Sequence, residues 1–84
     1  MELHERISRI NSKDDLADFI AALRSDLTAN PETWENPTLE RFLNAMESWM
    51  RTMDMYYKNT GQSFPETPSW KIFADALYAA KIYE

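Results

Sequence analysis

The segment from residue 37 to residue 60 constrains the fold most, because its apolar side chains recur with the period of an α-helix. At 100° per residue, the recurring side chains fall within an arc of about 140°. They are Leu39, Phe42, Leu43, Met46, Trp49, Met50, Met53, Tyr56 and Tyr57. This stripe predicts the core side of the longest helix, which we expect to start at Pro37. Met55 lies roughly opposite the stripe, which predicts that it is exposed, and Gly61 suits a left-handed helix stop.

Two further helices are predicted before this segment. A short stripe of Leu3, Ile7 and Ile10 favours a brief first helix over residues 2–10. A second helix, which we expect to end near Ala29, is predicted because five apolar residues share one helix face. They are Leu16, Phe19, Ile20, Leu23 and Leu27. Ser12 followed by Asp15 resembles a capping box at its start.

Two Asn-Pro pairs, Asn30-Pro31 and Asn36-Pro37, read as helix starts. Asparagine is a favourable N-cap residue, and proline is tolerated at the first helical position because its missing N–H would be unpaired there anyway. The segment between the pairs, Pro31–Glu35, has room for a single helical turn carrying Trp34.

The last helix is predicted from a cap at Thr67–Ser69 to the C-terminus, and it is apolar on two opposite sides. One stripe is Trp70, Phe73, Ala74 and Leu77, and the other is Ile72, Ala76, Ala79 and Tyr83. Such a helix is buried between other helices or covered by a partner. No segment has the pattern of a strand, so the sequence predicts an all-α fold: one compact three- or four-helix bundle over residues 1–84.

Composition gives no support for a catalytic, cofactor or metal site, and we expect the protein not to be an enzyme. The chain has no cysteine, and His4 is its only histidine, so zinc ligands and the usual nucleophile–base pairs are missing. Asp14, Asp15 and Asp18 are close in sequence but fit helix capping and a solvated face. A small enzyme that uses carboxylates alone is the remote alternative.

The charge is concentrated in residues 14–35, where six acids against Arg24 account for the whole net charge of −5. This balance argues against nucleic acid as a partner and favours a basic protein surface. The longest apolar runs are Phe19–Leu23 and Ala76–Ala80. They are too short to span a membrane, so we expect a cytoplasmic protein with no membrane partner.

One polar segment, at the predicted end of the long helix, is the candidate binding site. A helix stop explains Gly61, but two neighbouring tyrosines and a run of neutral polar groups also suit a recognition corner on a rigid support. The candidate partner-binding residues are Tyr56, Lys58, Asn59, Thr60 and Gln62. A purely structural turn is the alternative reading.

Several segments resemble a family of short bacterial proteins of unknown function. They are Trp34-Glu35-Asn36, Tyr56–Gln62, Pro68-Ser69-Trp70 and Ala79-Ala80-Lys81-Ile82-Tyr83. The resemblance covers about residues 12–84 and implies a free-standing bacterial domain. It implies no catalytic residues.

The leading hypothesis is therefore a non-enzymatic protein–protein interaction module. By analogy with other small, acidic, helical proteins, it could be an immunity-type inhibitor or an adaptor. The alternative is a self-associating structural domain that forms a homodimer through its C-terminal helix.

Overall fold

The computed structural model describes residues 2–64 and 67–83, and four α-helices account for most of them. The helices are α1 (Leu3–Ile7), α2 (Lys13–Ala29), α3 (Leu39–Asn59) and α4 (Trp70–Ile82), with a 3₁₀ turn at Pro31–Thr33 between α2 and α3. No strand occurs in these residues, which confirms the predicted all-α fold. None of the described helices is both long and apolar enough to cross a membrane.

Side chains cap the starts of α2, α3 and α4. Ser12 accepts a hydrogen bond from the Asp15 backbone amide, which confirms the predicted cap of α2, and Ser69 caps α4 in the same way. The Asp15 carboxylate in turn accepts from the Asn11 amide at 3.1 Å. The cap of α3 is Thr38.

The 3₁₀ turn begins at Pro31 directly after Asn30, as predicted, but neither asparagine side chain forms the predicted cap. The Asn30 side chain does not cap the 3₁₀ turn but donates to the carboxylate of Asp26 at 3.2 Å. Asn36 lies two residues before the true cap of α3 and is buried, with its amide directed towards the C-terminal end of α4. The long helix accordingly begins at Leu39 rather than at Pro37.

Helix α4 is the centre of the bundle, since α1, α2 and α3 all pack against it. Its alanines allow close approach on several sides: Ala74 and Ala80 are completely buried, and Ala76 and Ala79 are buried too. The second apolar stripe of α4 is therefore largely internal, in a cluster that also contains Trp49 and Tyr57 of α3. The bundle itself supplies the cover that the sequence pattern demands.

A second cluster of buried side chains joins α1 and α2 to the other side of α4. Its buried members are Ile7, Ile10, Leu16, Phe19, Leu23, Trp34 and Ala74. Helices α2 and α3 do not pack directly against each other in the described part of the chain, because α4 lies between them. The molecule is consequently flat, with principal extents of 34 × 27 × 18 Å.

This flatness corrects the prediction that the whole apolar stripe of α3 is core. Trp49 and Tyr57 are buried as predicted, and Met55 is exposed as predicted. Three other residues of the stripe, however, face solvent: Leu39 is 74% exposed, Leu43 52% and Met50 48%. Only one side of α3 meets α4, and none of the other described helices packs closely along the rest of α3.

Candidate functional site

The end of α3 forms a regular helix stop. The Gln62 amide donates to the Tyr57 carbonyl at 2.8 Å, and the Gly61 amide donates to the Lys58 carbonyl at 3.2 Å. This pair of bonds defines a Schellman motif, in which the residue after the cap adopts a left-handed conformation. Gly61 has φ of +73°, which confirms the conformation predicted for it.

The same turn also uses two side chains of the predicted recognition corner. The Thr60 hydroxyl donates to the Tyr56 carbonyl at 2.9 Å, and the Gln62 side-chain amide donates to that hydroxyl at 2.9 Å. The turn therefore accounts for Thr60 and Gln62, which the sequence argument had assigned to ligand binding for lack of a structural use. Lys58 is exposed beside them.

The other two predicted residues, Tyr56 and Asn59, lie at a cavity of about 710 Å³ between α1, α3 and α4. We call this cavity the tyrosine pocket, because Tyr56, Tyr78 and Tyr83 line it together with Trp49. Tyr56 is 39% exposed and packs on Trp49, with 5.6 Å between ring centroids. The structure thus separates the predicted corner into a turn and one wall of a pocket.

A buried carboxylate belongs to the wall of the tyrosine pocket. The side chain of Asp75 is 9% exposed, and its Oδ2 accepts a 2.6 Å hydrogen bond from the Tyr57 hydroxyl. Lys71 Nζ lies 3.9 Å from the same oxygen and also lines the pocket. Burial raises the pKa of the Tyr57 phenol, and the hydrogen bond to Asp75 raises it further. Tyr57 therefore stays protonated and donates to Asp75.

Sequence reasoning missed this site, since the description of the last helix by its two apolar stripes gives Asp75 no role. A signal was available: Asp75 lies between Ala74 and Ala76, at a position that two packed faces of the helix enclose. A carboxylate at an enclosed position needs a donor, and buried tyrosines are suitable ones.

A second cavity, of about 320 Å³, lies between α2 and α3 on the opposite side of the bundle, and we call it the apolar groove. Residues of α2 form one wall of the groove and residues of α3 the other, and Leu77 of α4 lies between them. Most of the other lining side chains are apolar: Ile20, Leu23, Leu27, Leu39 and Phe42. Leu43 and Phe73 extend it, because they lie one helical turn from Leu39 and Leu77 and are both 52% exposed.

Elsewhere, a polar cluster around Asp26 ties α2 to α4. Asp26 Oδ2 accepts from Lys81 Nζ and from Trp34 Nε1, both at 2.8 Å. Lys81 also lies over the Trp34 ring, 5.5 Å from its centroid. These contacts satisfy one another inside the fold, which makes the cluster structural rather than a binding site.

The remaining sequence candidates are not brought together into a site. Among residues 2–64 and 67–83, no group of three or more acidic or histidine side chains is arranged to hold a metal ion. Asp14 pairs with Lys13 at 2.8 Å on the surface, and Asp15 is used in capping. Asp18 is exposed, and His4, also exposed, lines the α1 side of the tyrosine pocket, with its ring centroid 6.4 Å from that of Tyr78.

A comparison with protein families places the chain. Residues 12–84 match the model of a family of unknown function, DUF7660. The chain belongs to DUF7660. This membership agrees with the resemblance to a short uncharacterised family, and the matched part of this DUF7660 protein includes both cavities except for the residues that α1 contributes. No curated protein and no solved structure was found to match the chain.

Proposed function

We propose that this protein is a non-enzymatic interaction module that binds an amphipathic helix of a partner protein in the apolar groove. The observation that carries the proposal is the convergence of exposed apolar side chains on one groove. They are Ile20, Leu39, Leu43 and Phe73, each between 39% and 74% exposed. Large apolar patches of this kind mark interaction sites on soluble proteins.

The apolar groove continues along α3 as an exposed apolar edge. Leu39 lines the groove, and Leu43 and Met50 extend the same edge of the helix, over a span of about 16 Å at the helical rise per residue. Three turns of a partner helix, with apolar residues at positions i, i+4, i+7 and i+11, match that length. Leu77 lies between the two walls and would contact the apolar face of the inserted helix.

Charges beside the groove indicate the partner's chemistry. Arg24 borders the α2 wall. On α3, the exposed Glu40 and Glu47 flank this edge on its solvent side; Glu47 is paired with Arg51 at 2.8 Å, whereas no ion pair within the described residues engages Glu40. A bound helix with basic residues on the flank that faces α3 would be complementary. The net charge of −5 favours a basic partner over a second copy, because two copies repel each other.

The test is site-specific photo-crosslinking in the native cell. A crosslinker at Leu43 should capture a protein that the same crosslinker at Phe64, which is equally exposed and lines neither cavity, does not capture. The attachment site should map to an amphipathic helix with basic residues. That purified segment should bind the wild-type chain, and the double variant Leu39→Ser, Leu43→Ser should weaken binding more than about tenfold.

Capture of the same proteins at both positions would refute the proposal. So would undiminished binding of the segment by the double variant when its circular dichroism spectrum is unchanged.

Self-association through the apolar groove is the second candidate function. The stripe Ile72, Ala76, Ala79 and Tyr83 is largely covered within the monomer, so a second copy would have to use the apolar groove. Sedimentation equilibrium distinguishes the two functions. If the wild type is a dimer and the double variant Leu39→Ser, Leu43→Ser is a monomer, self-association through the groove is favoured over partner binding.

A further inference from the structure

We infer that the tyrosine pocket is a binding site for a primary alkylammonium group, independent of the apolar groove. The inference rests on Asp75, whose side chain is nine-tenths buried yet lines a cavity of about 710 Å³. A carboxylate at the wall of an aromatic cavity offers a cation both a charge-assisted hydrogen bond and the faces of the rings.

Asp75 has one oxygen available for a ligand. Its Oδ2 is occupied by the Tyr57 hydroxyl at 2.6 Å, whereas no hydrogen bond from the described residues reaches Oδ1. No fully buried side-chain oxygen or nitrogen in those residues lacks a partner. Oδ1 is therefore accessible, and the cavity that Asp75 lines is the space it opens to.

The Tyr57 hydroxyl fixes the direction of this free oxygen. Tyr57 is 2% exposed and remains protonated, so it holds Oδ2 in place without competing for the cation. A preorganised acceptor of this kind loses little entropy when it binds a ligand.

The aromatic side chains select for an alkyl chain behind the ammonium group. Trp49 and Tyr56 form one wall from α3, with their ring centroids 5.6 Å apart, and Tyr78 and Tyr83 line the pocket from the α4 side. These surfaces can cover methylene groups and attract the positive charge at their faces. A small inorganic cation has no methylene groups for these surfaces to cover.

Lys71 occupies the position of a resident competitor. Its Nζ is 3.9 Å from Asp75 Oδ2, too long for a hydrogen bond, and its side chain is 42% exposed. An incoming ammonium group would displace this loosely held amine. Removal of the Lys71 charge should therefore strengthen binding, an effect that a purely structural Asp75 would not produce.

The experiment titrates the purified protein with n-hexylammonium and monitors backbone and indole amides by NMR. Saturable shifts are expected at Trp49, Asp75 and Tyr78. Asp75→Asn should weaken binding about tenfold or more, and Lys71→Gln should strengthen it by about threefold. Hexanol serves as the uncharged control of equal length, and Lys58→Gln is the matched control for Lys71, since Lys58 does not line the pocket.

Equal binding of hexanol and hexylammonium would overturn the inference, as would an Asp75→Asn protein that is folded and binds normally. If Asp75→Asn does not fold, the response to Lys71→Gln decides alone, and unchanged or weaker binding refutes the site. A parallel titration with Nα-acetyl-lysine methylamide identifies the source. Tighter binding of this compound indicates a partner's lysine side chain, and tighter binding of hexylammonium indicates a free amine.

Discussion

Asn36 and Tyr83 are 47 positions apart in the sequence, yet the side-chain amide of Asn36 donates to the Tyr83 carbonyl at 2.7 Å. The same amide nitrogen donates to the Ala80 carbonyl at 3.1 Å, and the Asn36 backbone amide donates to the Lys81 carbonyl at 3.1 Å. Asn36, a single residue in the segment before α3, thus donates to three carbonyls at the end of α4. A helix leaves its last carbonyls without partners inside the helix, so these bonds satisfy them.

The first prediction is that Asn36→Ala destabilises the fold by about 2–3 kcal/mol, because it removes two side-chain hydrogen bonds at a buried position and leaves their acceptors unpaired. Chemical denaturation measures the change in the free energy of unfolding. Asn44→Ala, at an exposed position of α3, is the matched control and should change it by less than about 0.5 kcal/mol. Similar losses for both variants would show that the Asn36 bonds contribute little.

The second prediction concerns acid. The hydrogen bond from Lys81 holds the pKa of Asp26 below its usual range, with further help from Trp34 and Asn30. A lowered folded-state pKa gives stability that is present above the unfolded-state value of about 3.9 and is lost as the pH falls through the folded-state value.

Asp26→Asn should therefore cost about 1–2 kcal/mol at neutral pH and flatten the decline in stability below about pH 4. Urea denaturation at several pH values measures both effects. Asp18→Asn, which changes an exposed acid on the same helix, should leave the decline unchanged. A wild-type slope that survives in Asp26→Asn would place the acid sensitivity at another residue.

The fold class follows from the sequence because helical period, capping serines and the left-handed glycine are local properties. Ser12, Ser69 and Gly61 all have the roles that their neighbours in sequence predict. The predicted start of α3 was wrong because of a tertiary contact. The Asn36-Pro37 pair satisfies the local rule for a cap, but α4 offers the Asn36 amide buried carbonyls, and that contact is invisible in a local pattern.

The site was harder to predict than the fold, because periodicity shows which side chains are apolar but not which have a neighbour. Leu43 and Trp49 belong to the same predicted stripe, yet one is 52% exposed and the other 4%. The difference depends on where α4 lies against α3. The hydrogen bond between Tyr57 and Asp75 likewise joins two helices, so the pocket cannot be predicted from either residue alone.

The third prediction separates these faces by stability. Trp49→Ala should cost about 3–5 kcal/mol, the range for emptying a buried aromatic position. Met50→Ala and Met55→Ala should each cost less than about 1 kcal/mol, because both side chains are about half exposed. Thermal and urea denaturation of the three variants provide the measurement. A loss at Met50 that approaches the loss at Trp49 would mean that the exposed apolar edge of α3 is covered in solution.

The fourth prediction concerns base. Burial, followed by the hydrogen bond to Asp75, raises the pKa of Tyr57 above its ordinary value. The protonated phenol therefore contributes stability below the unfolded-state pKa of about 10, and this contribution is lost as the pH rises through the folded-state value. Tyr57→Phe should cost about 1–3 kcal/mol at neutral pH, since it leaves the buried Asp75 carboxylate without its donor.

Above about pH 10 the gap in stability between wild type and Tyr57→Phe should narrow, because only the wild type loses the protonated phenol. Tyr56→Phe is the neighbouring control. Its ring is 39% exposed, so its removal of a hydroxyl should change neither the stability nor its pH dependence appreciably. A gap between wild type and Tyr57→Phe that stays constant to high pH would contradict the assignment.

The fifth prediction decides what the polar residues after α3 are for. Gly61→Ala should cost about 1–2 kcal/mol from its left-handed conformation alone, since an added Cβ would meet no atom within 4 Å. Gly61→Val should cost more, because β-branched side chains resist positive φ. Thr60→Ala with Gln62→Ala removes two exposed hydrogen bonds and a long, partly buried one of 3.4 Å to the Tyr57 carbonyl, and it should shift the free energy of unfolding by less than about 1 kcal/mol.

The same double variant tests the original recognition corner against the two cavities. If binding depends on the apolar groove and the tyrosine pocket, the double variant should keep the wild-type affinity for a partner helix and for hexylammonium. The reason is that neither Thr60 nor Gln62 lines either cavity. Calorimetric titration of the double variant measures both affinities. A tenfold loss for either ligand in a protein of unchanged stability would restore Thr60 and Gln62 as binding residues.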